Sequence, residues 1–262
     1  MRMIKKSYCK KDGWRGQEEK CSACGKKTIM KDIPDRRNGW YYIDTIDKPL
    51  ISTTKVFSII NKFGLNKWRE NKCIEIALFD PSLSPKEILA RVDEIAREAG
   101  ERGTMVHDYI HKLELDPETA LSDPLDVLKP YIDAYKEFRE SFPFTVEYSE
   151  ATLINPDKDY AGRIDVIGTN SGNRWLLDYK TSNHVSDESG YQLSAYKNAE
   201  SLITMYKGKQ NIEPMPKIDK MAVVQLKDDG HHNFIVKDEP HKIFLNHLDN
   251  YKHSSLKEYY EV

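Results

Sequence analysis

The chain has 262 residues, enough to bury a sizeable core and to suit one principal domain with an appendage. Charged residues make up 31% of it, yet the formal net charge is only -2. No global basic field therefore marks a nucleic-acid binder, and any such ligand would need a local basic channel. No apolar run reaches membrane-spanning length and the N-terminus lacks the apolar segment of a signal peptide, which predicts a soluble cytoplasmic protein with no membrane partner.

In chain order, cysteines come first. Cys21-Ser22-Ala23-Cys24-Gly25 is a C-x-x-C knuckle flanked by Lys20, Lys26 and Lys27, and Cys9 precedes it by twelve residues. That separation is ribbon-like, but Asp12 stands where the second cysteine of the first pair would be. Three readings stay open: Zn²⁺ held by Cys9, Asp12, Cys21 and Cys24, a degenerate knuckle without metal, or a redox pair. Residues 1–34 are expected to form this small module and residues 35–262 the main domain.

Arg36-Arg37-Asn38-Gly39 followed by Trp40-Tyr41-Tyr42-Ile43 predicts a hairpin. Ser52-Thr53-Thr54 caps a helix that Gly64 ends, and residues 65–79 form a second one whose Lys67, Arg69 and Lys72 face either phosphates or solvent. Ser84-Pro85-Lys86-Glu87 opens a helix with a capping box and a proline in its first turn. Gly100 or Gly103 is expected to break it before the helix of His107 and His111. Asp108-Tyr109-Ile110 lies between those histidines, so the H-E-x-x-H metalloprotease motif is absent. Residues 125–142 form a further helix, 144–154 one long strand, 188–205 a helix carrying Gln192 and Tyr196 on one face, 217–226 a strand, and 241–259 the last helix. The sum is an α/β fold, a central mixed sheet flanked by helices, with a helical wall over 52–142 and a core over 143–262.

The chemistry concentrates in two apolar runs, Gly162-Arg163-Ile164-Asp165 and Trp175-Leu176-Leu177-Asp178-Tyr179-Lys180-Thr181-Ser182. The turn chemistry of Thr169-Asn170-Ser171-Gly172-Asn173 makes them an antiparallel hairpin that can bring Asp165 and Asp178 together. Alternation along the strand points Asp178 and Lys180 the same way. Two buried carboxylates repel each other and are costly to desolvate unless a divalent cation neutralises them; Mg²⁺ or Mn²⁺ is the natural candidate. The bland alternative is a surface hairpin with an Asp-x-Lys salt bridge, against which stands the apolar setting of both acids.

Together with Tyr191-Gln192-Leu193-Ser194-Ala195-Tyr196, these motifs resemble those of the RecB-like branch of the PD-(D/E)xK nuclease superfamily, over roughly residues 50–205. Upstream, Arg102-Gly103-Thr104-Met105-Val106-His107 resembles the branch's G-x-x-x-H helix. The resemblance implies a restriction-endonuclease-like core and a metal site of His107, Asp165, Asp178 and the Tyr179 carbonyl. It implies that Lys180 acts on the nucleophilic water, and that Gln192, Tyr196 and Arg163 support the site and the DNA strand. Glu150 sits where some members carry an additional acid.

The activity implied is a metal-dependent DNA exonuclease working on single strands or strand ends in recombination, replication or repair, in a bacterial or phage-infected cell. No Walker A sequence is present, so a helicase, like a single-strand-binding protein, would be a separate partner. The chain departs from the branch in having no Pro before Asp165, and no cysteine follows Cys73 to hold the iron–sulfur cluster of some members. A structure-specific endonuclease and a catalytically silent DNA-binding adaptor are the alternatives; the full acid, acid, lysine set speaks against the adaptor.

Overall fold

A computed structural model of the chain describes residues 6–8, 15–16, 29–31, 35–43, 45–60, 62–115, 124–206 and 209–259. The expected zinc ligands Cys9, Asp12, Cys21 and Cys24 lie outside the described residues. Three short strands near the N-terminus, β1 (Lys6–Tyr8), β2 (Arg15–Gly16) and β3 (Ile29–Lys31), form an antiparallel sheet of order β2-β1-β3. The hairpin predicted next is β4 (Asp35–Arg37) and β5 (Trp40–Tyr42), joined by Asn38 and Gly39 at φ 50° and 80°, the positive values a tight Asn-Gly turn needs.

The remaining elements are β6 (Leu50–Ser52), α1 (Thr53–Val56), α2 (Phe63–Phe79), α3 (Pro85–Leu115), α4 (Lys129–Ser141), β7 (Thr145–Ser149), β8 (Thr152–Asn155), β9 (Tyr160–Arg163), β10 (Val166–Asn170), β11 (Asn173–Lys180), α5 (Asp187–Lys197), β12 (Ser201–Tyr206), β13 (Lys209–Pro214), β14 (Lys220–Leu226), β15 (His232–Lys237) and α6 (His241–Tyr259). They build an α/β arrangement of two mixed sheets flanked by helices. One sheet has the order β15-β14-β11-β10-β7, the other β13-β12-β8-β9-β6-β5-β4.

Two sheets replace the single one expected because the chain changes sheet at one place, twice. Residues 144–154 are not one strand. Glu150 takes φ 55°, left-handed backbone that a continuous strand does not contain, so β7 pairs in the five-stranded sheet and β8 in the seven-stranded one. Ile164 and Asp165 likewise stand between β9 of the seven-stranded sheet and β10 of the five-stranded one. The Glu150 N–H donates to the Asp165 carbonyl at 2.9 Å, and the Ile164 N–H to the Ala151 carbonyl at 3.0 Å. These paired corners set Glu150 and Asp165 side by side.

Each face of the five-stranded sheet has its own core, sorted by the two-residue period of its strands. Val166, Leu177, Tyr179 and Val224 meet Val106 and Ile110 of α3 and Phe138 of α4. Ile167, Leu176 and Val223 point the other way, into a core with Leu193 of α5, Phe244 of α6 and Leu153 of the second sheet. The helix expected over 188–205 stops at Lys197 for the same reason: Leu202 and Ile203 are neighbours yet enter two different cores, which extended backbone allows.

α3 starts as its sequence dictates, with the Ser84 N–H donating to Glu87 Oε2 at 2.8 Å and the Glu87 N–H to Ser84 Oγ at 3.4 Å. It then runs unbroken through Gly100 and Gly103 for 31 residues, where a break was expected. Glycine inside a helix costs only about 1 kcal/mol relative to alanine. Gly103 also has a packing role, since a Cβ there would stand 3.1 Å from Thr181 Oγ1 at the end of β11. α2 buries none of its residues. Its Lys67, Arg69 and Lys72 stand 3.6, 2.6 and 2.5 Å from Glu70, Asp93 and Glu75, so this face carries surface ion pairs. Among the described residues no helix is long and apolar enough to cross a membrane.

Candidate metal centre

The corner between the sheets gathers its side chains from three elements. Glu150 lies between β7 and β8, Asp165 between β9 and β10, and His107 comes from α3, which Val106 and Ile110 anchor on the sheet. Ligand-capable atoms of His107, Glu150 and Asp165 lie within 4.8 Å of one another. His107 Nδ1 is 3.1 Å from Asp165 Oδ1. The ladder between β10 and β11 begins at Val166 opposite Leu177. Just before it the Asp165 side chain takes over, and Oδ2 accepts the Tyr179 N–H at 2.7 Å.

Asp178 and Lys180 share a face of β11, with Lys180 Nζ 2.7 Å from Asp178 Oδ2. The metal set expected was His107, Asp165, Asp178 and the Tyr179 carbonyl. Among the described residues the set that converges is His107, Glu150 and Asp165, while Asp178 is turned to the ammonium two residues along its own strand. Glu150, the additional acid of the sequence reading, is brought into this set by the corner hydrogen bonds. Two carboxylates and an imidazole, half-buried and convergent, fit a divalent cation.

The electrostatics divide the two aspartates. Burial opposes charge on Asp165, but protonated His107, Lys180 and the Tyr179 N–H together hold its carboxyl below the ordinary value. Burial lowers His107 in turn, and the Asp165 charge overcomes that and raises it to about 9. Asp178 moves the opposite way: burial raises it, Lys180 offsets this in part, and the like charge of Asp165 adds to the rise. Burial lowers Lys180, yet the two aspartates bring it above its ordinary value.

No family model matches the chain, and no curated protein does. Seventeen chains of solved structure match it. One of them, from the crystal structure of SSO0001, is 15% identical over 57% of this chain and 71% of that one, with a TM-score of 0.30. A likeness at that level carries no argument about the site, which is read from its own geometry.

Arg163, expected to support the site, forms an ion pair through Nη2 with Glu150 Oε2, and its Nε donates to the Glu150 carbonyl at 3.3 Å. Gln192 Nε2 donates to the Tyr196 hydroxyl, as their shared helix face suggests. Tyr196 itself is 3% exposed, so the expected contact with a DNA strand is sterically closed to it. Its ring packs on Gly162, where a Cβ would stand 2.3 Å from Cε1, and Thr53 Oγ1 donates to its hydroxyl at 3.2 Å. Tyr196 therefore supports the site from inside, by fixing the strand that carries Arg163.

Three polar contacts of α3 went unread in the sequence. His111 Nδ1 lies 2.7 Å from Ser149 Oγ, beside Glu150. Glu114, with its side chain 3% exposed, accepts from the Tyr135 hydroxyl and, at 3.4 Å, from the Tyr179 hydroxyl. The signal available was spacing: His107, His111 and Glu114 follow one another by four and three residues, one face of a helix.

Proposed function

We propose that the protein is a metal-dependent DNA nuclease with a PD-(D/E)xK, restriction-endonuclease-like core, acting as an exonuclease on single strands or strand ends. The observation that carries this reading is the convergence of His107, Glu150 and Asp165 beside the Asp178–Lys180 pair. Carboxylates suit Mg²⁺ and Mn²⁺ while imidazole suits softer ions, so the mixed set favours Mn²⁺ at least as much as Mg²⁺. Bound there, such an ion would lower the pKa of an attacking water and offset the charge that builds on a phosphodiester oxygen.

The chain's own groups have distinct tasks. His107 must give up its proton to become a ligand. Lys180, held protonated by two aspartates, serves as a hydrogen-bond donor and positive charge beside the reacting phosphate and not as the base. Asp178, raised by burial, is the better proton acceptor of the two aspartates. The Tyr179 N–H keeps Asp165 aimed at the corner. α3 walls the site and supplies His107. A helicase or single-strand-binding protein would act as a separate partner.

The test is cleavage of end-labelled linear and circular single-stranded DNA with Mn²⁺ or Mg²⁺ and an EDTA control. Metal-dependent degradation of linear strands with intact circles is the expected result. Cutting of circles would make the protein an endonuclease, and no cutting of either would leave a DNA-binding adaptor.

A further inference from the structure

The corner balances its charges without any ion. Each of its three acids has a cation of its own: Arg163 on Glu150, His107 on Asp165 at 3.1 Å and Lys180 on Asp178 at 2.7 Å. These cations differ in how firmly they are held. Lys180 stands in β11 beside two aspartates, and His107 is fixed by the packing of α3. Arg163 is the last residue of β9, its side chain is 31% exposed, and it holds Glu150 from the solvent side through the carboxylate and the carbonyl. Glu150 cannot follow it outward. Its N–H is tied to the Asp165 carbonyl, its backbone is fixed at φ 55°, and its side chain is 12% exposed.

We propose that Arg163 is an exchangeable counter-ion: it neutralises Glu150 until a divalent cation takes that carboxylate, and the freed guanidinium then binds a phosphate oxygen of the nucleic acid. The proposal rests on the metal-centre reading above. The guanidinium is about a third open to solvent, on the side of Glu150 away from the corner, so a dication sharing three ligands displaces it from the carboxylate. A dication that enters as His107 gives up its proton still adds one net positive charge to the corner and so favours an anion there, and a planar guanidinium with five donors suits a phosphate. Metal and phosphodiester binding are then positively coupled through one side chain, and the coupling is reciprocal.

The experiment is calorimetric titration of Mn²⁺ into the metal-free full chain, wild type, Arg163→Gln and Arg163→Lys. It is followed by fluorescence anisotropy of a short labelled single strand on Lys180→Ala protein, with and without Mn²⁺. Removal of the competing guanidinium should raise Mn²⁺ affinity about fivefold or more, the lower range of typical couplings, with Arg163→Lys in between. Mn²⁺ should tighten strand binding in the Lys180→Ala protein and lose that effect once Arg163→Gln is added. Equal or weaker Mn²⁺ binding by Arg163→Gln, with circular dichroism unchanged, would overturn the proposal and leave the metal centre standing. A wild-type chain that takes up no Mn²⁺ would remove both, and that result is read before any variant is made.

Discussion

Asp165 and Asp178 are the same residue thirteen positions apart, both enclosed, yet their protonation equilibria move in opposite directions. Asp165 sits at a corner where two sheets separate, so donors from elsewhere reach it: an imidazole from α3 and an N–H from β11. Asp178 lies within a strand, where the lysine two residues on is its ion-pair partner, and the charge of Asp165 works against it. A strand interior offers an acid mainly its alternate neighbours, whereas a corner between sheets collects groups from several elements. That is why the His107, Glu150 and Asp165 cluster forms at the corner and the ammonium-bearing pair on the strand.

The strongest way to break this contrast is to remove one side at a time. Lys180→Ala should lower cleavage about 1,000-fold, the scale of losing a preorganised donor, while the chain still folds, at a lower thermal midpoint because the buried Asp178 loses its partner, and Mn²⁺ affinity stays near wild type. His107→Ala should instead lower Mn²⁺ affinity about tenfold or more, as measured by calorimetry. Equal loss of metal binding in both would mean that corner and strand are one unit.

Next in size is the pH dependence of the metal-free protein. The His107 pKa is raised from 6.5 to about 9 in the fold, so its pairing stabilises fully below pH 6.5 and is lost as the pH rises through about 9. The gap corresponds to about 3 kcal/mol. Asp165, with a lowered value, contributes above its ordinary pKa of 3.8 and loses that contribution as the pH falls. Urea midpoints of wild type and His107→Gln should therefore differ most near pH 6 and draw together above pH 9; a difference independent of pH would show that His107 is not the proton carrier at the corner.

Smaller effects separate support from chemistry. Gly162→Ala would press a methyl into the Tyr196 ring, which Thr53 and Gln192 hold in place, and should cost about 1–3 kcal/mol in urea unfolding. Ser84→Ala removes the cap of α3 at the end far from His107. It should cost at most about 1 kcal/mol and leave Mn²⁺ affinity unchanged, because the anchored half of α3, with Val106 and Ile110 buried, holds the histidine independently.

Much of the local structure was legible. The Asn38-Gly39 turn, the Ser84–Glu87 box, the hairpin of β10 and β11 and the last helix all follow from short-range rules. The single long strand over 144–154 did not survive, since nothing in Tyr148-Ser149-Glu150 announces left-handed backbone; the corner exists because Asp165 pairs with Glu150 across it. Glycine also misled: Gly103 read as a helix break and serves as a point of close approach to Thr181.

By itself the sequence determined that Asp178 and Lys180 share a face and that His107 rides a helix, because period and turn chemistry act over a few residues. The tertiary structure decided which acid joins His107 and Asp165, and in which direction each aspartate's protonation equilibrium moves. Those outcomes depend on how far α3 and the two sheets approach one another, and that is fixed by packing between segments distant in the chain.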